Sequence, residues 1–513
     1  MKFDNLHVGL SFHAKNMPNE TAIVFENNEL TYLEIYNRVQ TLAHAMINRG
    51  IKKGDHIILY MRNRIEMPVI YYAISSIGAV AVPINYMVIG KDLVQLINRS
   101  DAIFAFIENE TLQSFENSLP ELERITYENI ILVGDSNDKF KHYDSLFSGE
   151  QNGNLDLQVG YEELAVLIYS SGTTSLPKGI MLTQGAIITR LFRLAIEWGI
   201  SYRSTVLITV PMYHSIGHHF QLLLSMLGCR IVITREFNPE NTLRVIQNEK
   251  VTHSVFVPTQ YIMMLQVPTF NQYDLSSLQR LISGGAPIAQ PIKETIIDKL
   301  NCEFSEFFGC SESGNFIYLR SKDVIRKCKS IGQQADMEVR LVDERGEDVK
   351  PGEEGEFAVR GGGLFSGYYN QPVETRKSFL EGDWFLTGDM GKEDEEGFYY
   401  LLDRKKDMII SGGVNIYSKD IEEELYSHPG VLEAAVIGAP DEKWGEKVKA
   451  FVVLKDGIKI QKEELLSYWN ERLAKYQRIK ELELISSLPK NPSGKILKRQ
   501  LRENENVLLY GKS

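Results

Sequence analysis

The chain has 513 residues, of which 43% are hydrophobic and 24% charged, as in an ordinary globular protein. This length exceeds what one hydrophobic core supports, so two or more domains are expected. The formal net charge of −12, from 56 basic and 68 acidic residues, excludes a general nucleic-acid or anionic-membrane binder. No apolar run approaches the ~18 residues of a transmembrane segment, the N-terminus lacks a signal-peptide pattern, and the cysteines lack CxxC spacing. We therefore expect a cytoplasmic protein.

The N-terminal region alternates helical and strand patterns. Thr31 and Glu34 have capping-box spacing before apolar residues at steps of three and four, which predicts a helix ending near Gly50. Apolar runs with the length of buried strands follow at 56–61, 80–84, 102–107 and 130–133. This alternation predicts a largely parallel sheet covered by helices, within an α/β lobe of about 150 residues.

A loop rich in hydroxyl groups follows another apolar run, residues 164–169. It contains Ser170, Ser171, Gly172, Thr173 and Thr174. Backbone N–H groups and hydroxyls of such a loop can bind one anion, and Lys178 adds a compact positive charge. The spacing is not that of a Walker A loop, and a flexible linker is the alternative. The apolar runs on both sides favour a phosphate-binding loop.

The alternation then resumes, with loops rich in Gly, Pro or His after the strands. The predicted strands lie at 206–210, 230–234, 255–257 and 281–282. His214 is in the first of these loops, and Gly284, Gly285 and Ala286 are in the last. Ligands of open α/β sheets bind at the carboxyl ends of strands, so these loops are candidate pocket walls.

From about Glu338 the pattern changes to short alternating runs and glycine-rich turns, which predicts an antiparallel sheet or small β-barrel. Mixed helix and strand patterns near the C-terminus predict a compact α+β unit of about 100 residues. We place the domain boundary at Lys406, which gives domains of residues 1–405 and 406–513.

Three further stretches contain residues with useful chemistry. One combines an aromatic ring, a turn, a hydroxyl and a carboxylate in Phe308, Gly309, Cys310, Ser311 and Glu312. Asp389 follows an aromatic pair, and Lys495 lies in a loop bounded by Pro and Gly. Alone, each has an ordinary explanation, as a surface carboxylate, a turn residue or a solvated lysine.

Together and in this order, the stretches resemble the adenylate-forming superfamily of acyl-CoA synthetases, carrier-protein adenylation domains and beetle luciferases. The motifs that carry the resemblance are YSSGTTSLPKG, FFGCSE, WFLTGD, DRKKDMIISGGVNIY and PKNPSGK, and they span nearly the whole chain. The resemblance implies a large N-terminal domain with doubly wound sheets and a small β-barrel, and a small mobile α+β C-terminal domain. It also implies a two-step reaction with ATP, Mg²⁺ and CoA, through acyl-AMP and pyrophosphate.

The resemblance implies roles for the nucleotide-side residues. The loop at 170–178 should hold the β- and γ-phosphates, and Glu312 should bind Mg²⁺. Adenine should lie between Phe308 and the 284–286 loop, next to Gly309 and Ser311 of the same motif. Asp389 should accept hydrogen bonds from the ribose hydroxyls, with Arg404 nearby.

Other implied roles concern the acid and the thiol. Lys495 should bridge the acyl carboxylate and the α-phosphate during the first step. Rotation at the hinge residue Lys406 should then withdraw it and bring Gly412 and Gly413 to the thiol. His214 resembles a residue that lines or gates the acyl pocket, and a structural histidine is the alternative. Departures from the family's usual residues, at Ser175, Gln184, Phe308, Ser311 and Ser418, remove no charged catalytic group.

The favoured hypothesis is an ATP-dependent acyl-CoA synthetase acting on an apolar, medium- or long-chain fatty acid. Two observations support it. The pocket candidates Ile216, Leu223 and Phe256 are apolar, and no Asp is evident that would bind the ammonium group of an amino-acid substrate. The main alternative is a stand-alone enzyme that loads an acyl, aryl or amino acid onto an acyl carrier protein. A luciferase-type monooxygenase and a non-catalytic nucleotide-binding relative are further alternatives, and a homodimer is left open.

Overall fold

A computed structural model of the chain describes residues 5–147, 155, 158–169, 177–441, 443–458, 460–490 and 496–503. These residues form two compact units. The first contains the described residues up to 338 together with 359–379, and the second contains 339–358 and those from 380 onward. Within the described ranges, no helix is both long and apolar enough to cross a membrane.

The described α-helices are α1 (Val8–Asn16), α2 (Tyr32–Ile47), α3 (Glu66–Ser76), α4 (Gly90–Arg99), α5 (Asn109–Ser118), α6 (Gln184–Trp198), α7 (Ser215–Leu227), α8 (Pro239–Glu249), α9 (Pro258–Leu265), α10 (Gln290–Leu300), α11 (Pro372–Lys377), α12 (Ser418–Tyr426) and α13 (Lys462–Asn470). The capping box predicted for α2 is confirmed. Glu34 N–H donates to Thr31 Oγ1 over 3.2 Å, and Thr31 N–H donates to Glu34 Oε2 over 2.7 Å.

The described strands are β1 (Thr21–Phe25), β2 (Asn28–Thr31), β3 (His56–Tyr60), β4 (Val80–Pro83), β5 (Phe104–Glu108), β6 (Ile130–Val133), β7 (Lys141–His142), β8 (Leu164–Tyr169), β9 (Gly179–Thr183), β10 (Thr205–Ile208), β11 (Arg230–Ile233), β12 (His253–Phe256), β13 (Arg280–Ser283), β14 (Glu303–Cys310), β15 (Gly314–Leu319), β16 (Gln333–Gln334), β17 (Glu338–Val342), β18 (Glu354–Arg360), β19 (Gly367–Tyr368), β20 (Phe379–Leu380), β21 (Trp384–Glu393), β22 (Tyr399–Arg404), β23 (Ile409–Ser411), β24 (Val414–Ile416), β25 (Val431–Asp441), β26 (Gly445–Leu454) and β27 (Glu481–Leu484). Strands β6 and β8 have the predicted limits, and the other predicted strands differ at their ends by a few residues.

The first unit contains two large sheets whose central strands are parallel. The eight-stranded sheet has the order β19-β9-β8-β4-β3-β5-β6-β7, and the nine-stranded sheet has the order β16-β15-β14-β13-β12-β10-β11-β1-β2. Antiparallel pairing is confined to strands at the sides, such as β8 with β9 and β14 with β15. Because helices connect the parallel neighbours, the predicted α/β architecture is confirmed.

The apolar runs of the sequence form strands that are buried between layers of the two large sheets. All of β3 is buried, and so are nearly all residues of the helix that follows it, α3. Each large aliphatic side chain that is fully buried contributes about 1.5–3 kcal/mol relative to exposure. A strand and helix that are apolar on all sides are therefore stable only between other layers.

The second unit contains two smaller sheets. The region predicted as a small β-barrel forms a five-stranded sheet, in which β17-β18-β21-β20 are neighbours in that order and β22 pairs with β21. The C-terminal sheet has the order β24-β23-β26-β25, with β27 parallel to β26. Helices α12 and α13 contribute Leu425 and Trp469 to its core, which confirms the predicted α+β character.

Candidate active site

Some predicted site residues lie outside the described residues, so their roles stay predictions: Ser170, Ser171, Gly172, Thr173, Thr174 and Lys495. The strand that precedes the first five, β8, lies between β9 and β4 in the eight-stranded sheet and ends at Tyr169. The hydroxyl-rich loop therefore begins at the carboxyl end of a strand that is parallel to β4, where open α/β sheets bind ligands.

Tyr368 lies between two predicted site residues, Lys178 and Glu312. The Tyr368 hydroxyl donates a hydrogen bond to Glu312 Oε1 over 3.0 Å. On the ring side, Lys178 Nζ lies 4.5 Å from the ring centroid and 3.6 Å from Glu374 Oε2. Burial, followed by the charge of Glu312, raises the pKa of Tyr368, so the hydroxyl keeps its proton and acts as a donor. Tyr368 therefore contacts the Lys178 ammonium through its ring and the Glu312 carboxylate through its hydroxyl.

The turn that carries Glu312 is held by a buried arginine on α6. Arg190 donates from Nη1 to the Ser311 carbonyl over 3.0 Å and from Nη2 to the Glu312 carbonyl over 2.7 Å. Its Nε donates to the Gly363 carbonyl over 2.7 Å. Burial, and then the neighbouring Arg193, lower the pKa of Arg190 to about 9, which leaves it protonated at neutral pH. A charged donor to three carbonyls fixes the backbone around Glu312.

The loop after β13 and the strand β14 are close because β13 and β14 are parallel neighbours, with Ser283 opposite Glu306. Gly284 is buried, and a Cβ there would lie 2.3 Å from the Phe307 ring, so this position requires glycine. Gly285 has φ of +83°, and both it and Ala286 are exposed. These features fit a backbone edge that a flat ring could approach.

The adenine-motif residues Phe308, Gly309 and Cys310 are the last residues of β14, and Ser311 and Glu312 lie on the turn between β14 and β15. Phe308 is half-buried, and its ring makes an edge contact with Phe316 at 5.5 Å. A Cβ on Gly309 would lie 2.1 Å from the Gly314 carbonyl oxygen, so the close pairing of β14 with β15 requires glycine here. Cys310 Sγ lies 3.1 Å from Ser313 Oγ, an ordinary polar contact of a structural cysteine.

Asp389 and Arg404 face each other in the second unit, on β21 and β22. Arg404 Nε lies 3.1 Å from Asp389 Oδ1, and Asp389 is 4% exposed. A second buried carboxylate, Glu356, accepts a hydrogen bond from Gly388 N–H over 3.0 Å and lies 2.9 Å from Lys405 Nζ. The predicted proximity of Asp389 and Arg404 is therefore present.

The predicted thiol-side loop is a tight β-turn between β23 and β24. Gly412 and Gly413 have φ of +59° and +81°, values that favour glycine at both positions. A Cβ on Gly412 would lie 2.7 Å from the Trp444 ring, whereas nothing lies within 4 Å of one on Gly413. Lys406 lies in the turn between β22 and β23.

His214 is exposed and directly precedes α7. The next residues of α7 line a small cleft in the first unit, with a cavity volume of about 20 Å³. Its apolar walls are Leu194, Ile216, Phe220 and Tyr318. Gly314 also lines it, so the cleft adjoins the turn that carries Glu312.

Two pocket candidates of the sequence analysis lie elsewhere. Leu223 and Phe256 are fully buried and do not line this cleft, while Ile216 does. Sequence reasoning also missed Tyr368, Arg190 and Glu356. The available signals were the Gly-Tyr-Tyr stretch for Tyr368 and, for Arg190, an arginine on an otherwise apolar helix face. Neither signal identifies the residue that the side chain contacts.

Comparison with known proteins gives matches along almost the whole chain. A family model described as AMP-binding enzyme matches residues 10–369, and one described as AMP-binding enzyme C-terminal domain matches residues 420–495. A feruloyl-CoA synthase from an Amycolatopsis species is 33% identical over 493 residues, covering 95% of this chain and 96% of that protein. A long-chain-fatty-acid–CoA ligase from Bacillus subtilis is 33% identical over 529 residues, covering 97% and 94%. The solved structure of o-succinylbenzoate CoA synthetase from Bacillus subtilis, in complex with its acyl-adenylate intermediate, has a TM-score of 0.86 at 27% identity, covering 97% and 98%.

Proposed function

Because this chain belongs to the AMP-binding enzyme family, we propose that it activates a largely apolar carboxylic acid as its acyl adenylate and transfers the acyl group to CoA. The chain is an acid–thiol ligase of the AMP-forming kind, and its reaction uses ATP and CoA. The observation that carries the proposal is the arrangement of Lys178, Tyr368 and Glu312 beside the hydroxyl-rich loop.

The first step joins two anions, so positive charge near the phosphates is the main requirement. The carboxylate oxygen of the acid attacks the α-phosphorus of ATP, and pyrophosphate leaves. Residues 170–174 and Lys178 are proposed to bind the β- and γ-phosphates, with Lys178 moving from Glu374 to the anion. An ammonium group with one partner at 3.6 Å and a ring face at 4.5 Å is not held rigidly, which supports such a shift.

Glu312 is suited to bind Mg²⁺ together with phosphate oxygens. Its Oε1 accepts the Tyr368 hydrogen bond, while Oε2 accepts none from the part of the chain that the structure describes. No cluster of three or more His, Cys, Asp or Glu side chains able to hold a metal ion is present in that part. One carboxylate supplemented by phosphate oxygens is the usual environment of Mg²⁺, which would neutralise charge on the triphosphate when bound.

Separate sets of residues are proposed to bind the base and the ribose of the nucleoside. Phe308 and the 284–286 loop are proposed to hold adenine, because a half-buried ring and a side-chain-free backbone edge suit a flat base. Asp389 is proposed to accept hydrogen bonds from the ribose hydroxyls, and its contact with Arg404 keeps the carboxylate oriented. An ionised carboxylate only accepts hydrogen bonds, and its two oxygens can accept from two hydroxyl donors.

Lys495 and the Gly412–Gly413 turn are proposed to act in successive steps. Lys495 would stabilise the charge that develops between the acid and the α-phosphate. In the second step the CoA thiol attacks the acyl carbon, the bond to the phosphate oxygen breaks, and AMP leaves. A turn with two positive-φ glycines lets a thin pantetheine arm approach the backbone.

The acid is proposed to be mainly apolar because relatives along almost the whole chain act on fatty and aryl acids, and because Ile216, a pocket candidate of the sequence analysis, borders a small cleft with other apolar side chains. A medium- or long-chain fatty acid is the class predicted from the sequence, and the fatty-acid relative supports it. The feruloyl-CoA synthase relative supports an aryl acid of similar polarity. The proposed class therefore includes both.

The test is acid-dependent release of pyrophosphate across a panel of fatty, aryl and amino acids, with and without CoA. We expect release with apolar acids and CoA-dependent formation of AMP. Pyrophosphate exchange with no turnover of CoA, but with turnover of a loaded carrier protein, would replace the CoA proposal with the carrier-loading alternative. Turnover confined to amino acids would overturn the proposed acid class.

A further inference from the structure

Glu356 is a buried carboxylate in the second unit, and the proposed mechanism gives it no role. It is 7% exposed and lies inside β18, where its buried neighbours, Gly355 and residues 357–359, carry no charge. Removing a carboxylate from water is unfavourable unless donors or positive charges accompany it. The residues that supply those donors therefore indicate what the carboxylate does in the fold.

The two oxygens of Glu356 bind residues of two other parts of the sheet. Oε1 accepts a hydrogen bond from the Gly388 N–H, on β21, over 3.0 Å. Oε2 lies 2.9 Å from Nζ of Lys405, which directly follows β22. The Lys405 N–H also donates to the Gly388 carbonyl over 2.9 Å. One side chain thus holds Gly388 and Lys405 together at the end of the β21–β22 pair.

Gly388 and Lys405 directly adjoin the two residues of the proposed ribose site. Gly388 precedes Asp389, and Arg404 precedes Lys405 in the chain. Asp389 and Arg404 are opposite each other in the register of β21 and β22. Gly388 has φ of +76°, and because glycine is conformationally permissive, the direction of Asp389 depends on the contacts that hold Gly388. Glu356 supplies one of those contacts.

Stability alone does not account for a carboxylate at this position. The Lys405 side chain is 51% exposed, and an ion pair that water reaches adds little to the free energy of unfolding. A well-packed apolar side chain in place of a buried ionic one is often at least as stabilising. What an apolar side chain would not supply is the link between Gly388 and Lys405.

We propose that Glu356 is a positioning residue for recognition of the ribose of ATP. By holding Gly388, it directs the Asp389 carboxylate towards the ribose hydroxyls. By holding Lys405, it keeps Arg404 opposite that carboxylate. Glu356 acts through these residues and not on the nucleotide, and the inference rests on the proposed function, in which Asp389 binds the ribose.

The experiment compares ATP with 2′-deoxyATP in acid-dependent pyrophosphate release, with the acid that the wild-type protein turns over fastest. We expect kcat/KM of the wild-type protein to be at least about tenfold higher for ATP, because a site that hydrogen-bonds a hydroxyl discriminates against the analogue without it. In Glu356→Leu this ratio should fall to about two or less, through a higher KM for ATP and little change with 2′-deoxyATP. Glu356→Gln, which keeps an acceptor for the Gly388 N–H, should retain part of the preference.

Glu422→Gln is the matched control for Glu356→Gln. The Glu422 carboxylate, on α12, likewise accepts one backbone N–H, from Val436 over 2.8 Å, and lies 2.8 Å from one lysine Nζ, that of Lys498. Its partners do not adjoin the ribose pair in the chain, so this substitution should leave the nucleotide ratio unchanged. A general loss of stability would lower the rates with both nucleotides and would not change their ratio.

Asp389→Asn separates failure of this inference from failure of the proposed function. If it lowers the ratio of ATP to 2′-deoxyATP while neither Glu356 variant does, the positioning role is wrong and the ligase proposal stands. If Asp389→Asn leaves the ratio unchanged, the ribose assignment fails and this inference fails with it. If the wild-type protein releases no pyrophosphate with any acid, the ligase proposal itself fails. If Glu356→Leu does not fold, Glu356→Gln decides.

Discussion

Tyr368 is the residue that joins the cationic and the anionic part of the candidate nucleotide site. Its hydroxyl orients Glu312, and its ring faces the Lys178 ammonium. A hydrogen bond to a charged group is worth about 1.5–3 kcal/mol, more than the cation–π contact of a partly exposed lysine. Removing the hydroxyl of Tyr368 should therefore weaken the site more than removing the contact between its ring and Lys178.

Tyr368→Phe should lower kcat/KM for ATP by about tenfold, mainly through KM, because Glu312 loses its fixed orientation. The measurement is initial rate against ATP concentration at saturating acid, together with calorimetric ATP binding at two Mg²⁺ concentrations. Tyr369→Phe is the control, since its hydroxyl donates to Asp101 over 2.8 Å, and its ring is not the one that Lys178 contacts. Equal effects of both substitutions would show that Tyr368 acts through stability alone.

The role predicted for Lys495 is confined to the first half-reaction, so its loss should affect the two half-reactions differently. Lys495→Ala should reduce acid-dependent pyrophosphate release by about a hundredfold or more, because charge in the first transition state loses its partner. Thioester formation from supplied acyl-AMP and CoA should persist. The matched control is Lys490→Ala, since Lys490 pairs with Glu433. A comparable loss of both half-reactions in Lys495→Ala would contradict the assigned role.

At the scale of elements, the parallel pair β26 and β27 is joined by side chains as well as by backbone hydrogen bonds. Glu481 on β27 accepts from Lys447 and Lys449 of β26, at 2.8 Å in each case. Hydrogen bonds from these two lysines lower the pKa of Glu481 to about 2. Lys449 is 3% exposed, and its Nζ also lies 3.2 Å from Glu483 Oε2.

The lowered pKa of Glu481 predicts how acid affects stability. A carboxyl group whose pKa is lower in the folded than in the unfolded state stabilises the fold above its unfolded value. That contribution should be lost as the pH falls from about 4.5 towards about 2. Glu481→Gln should thus lower the thermal midpoint at about pH 6, and the difference from wild type should shrink at about pH 3.

The measurement is thermal unfolding of both proteins across this pH range. Glu464→Gln, on the exposed face of α13, provides the matched control and should show little difference at any pH. A gap between Glu481→Gln and wild type that stays constant down to about pH 3 would contradict the role of the ionised carboxylate.

For the whole molecule, the predicted hinge concerns a motion between the two steps of the reaction. Lys406 lies after β22, which ends at Arg404, and before β23, which begins at Ile409. The turn thus connects the two sheets of the second unit. It lies in residues 370–419, the stretch between the two family-model matches. The boundary at Lys406 stays a prediction about motion.

Lys406→Pro should spare acid-dependent pyrophosphate release and slow thioester formation, because proline fixes φ at the proposed pivot. The two half-reactions are measured separately, and the ratio of their rates is the readout. Lys406→Ala removes the same side chain without fixing the backbone, so it should leave the ratio near that of the wild-type protein. An unaffected thioester step in the proline variant would move the hinge elsewhere.

The amino-acid sequence by itself determined the α/β alternation, several of the helices and strands, and the order of the motifs. The Thr31 capping box, the strand at 164–169 and the apolar run at 130–133 were predicted because caps and periodicity depend on neighbours in the chain. The family resemblance rests on motifs that are contiguous in the chain, so it could be read from the sequence. The two matching family models confirm it.

Only the tertiary structure decided which of these residues meet. Glu312 and its donor Tyr368 are separated by 56 positions, and Arg190 holds carbonyls 121 and 122 positions away. Glu356 binds Gly388 and Lys405, which are 32 and 49 positions away. Local patterns contain no information on such contacts, since these are fixed by how sheets and helices stack around a shared core.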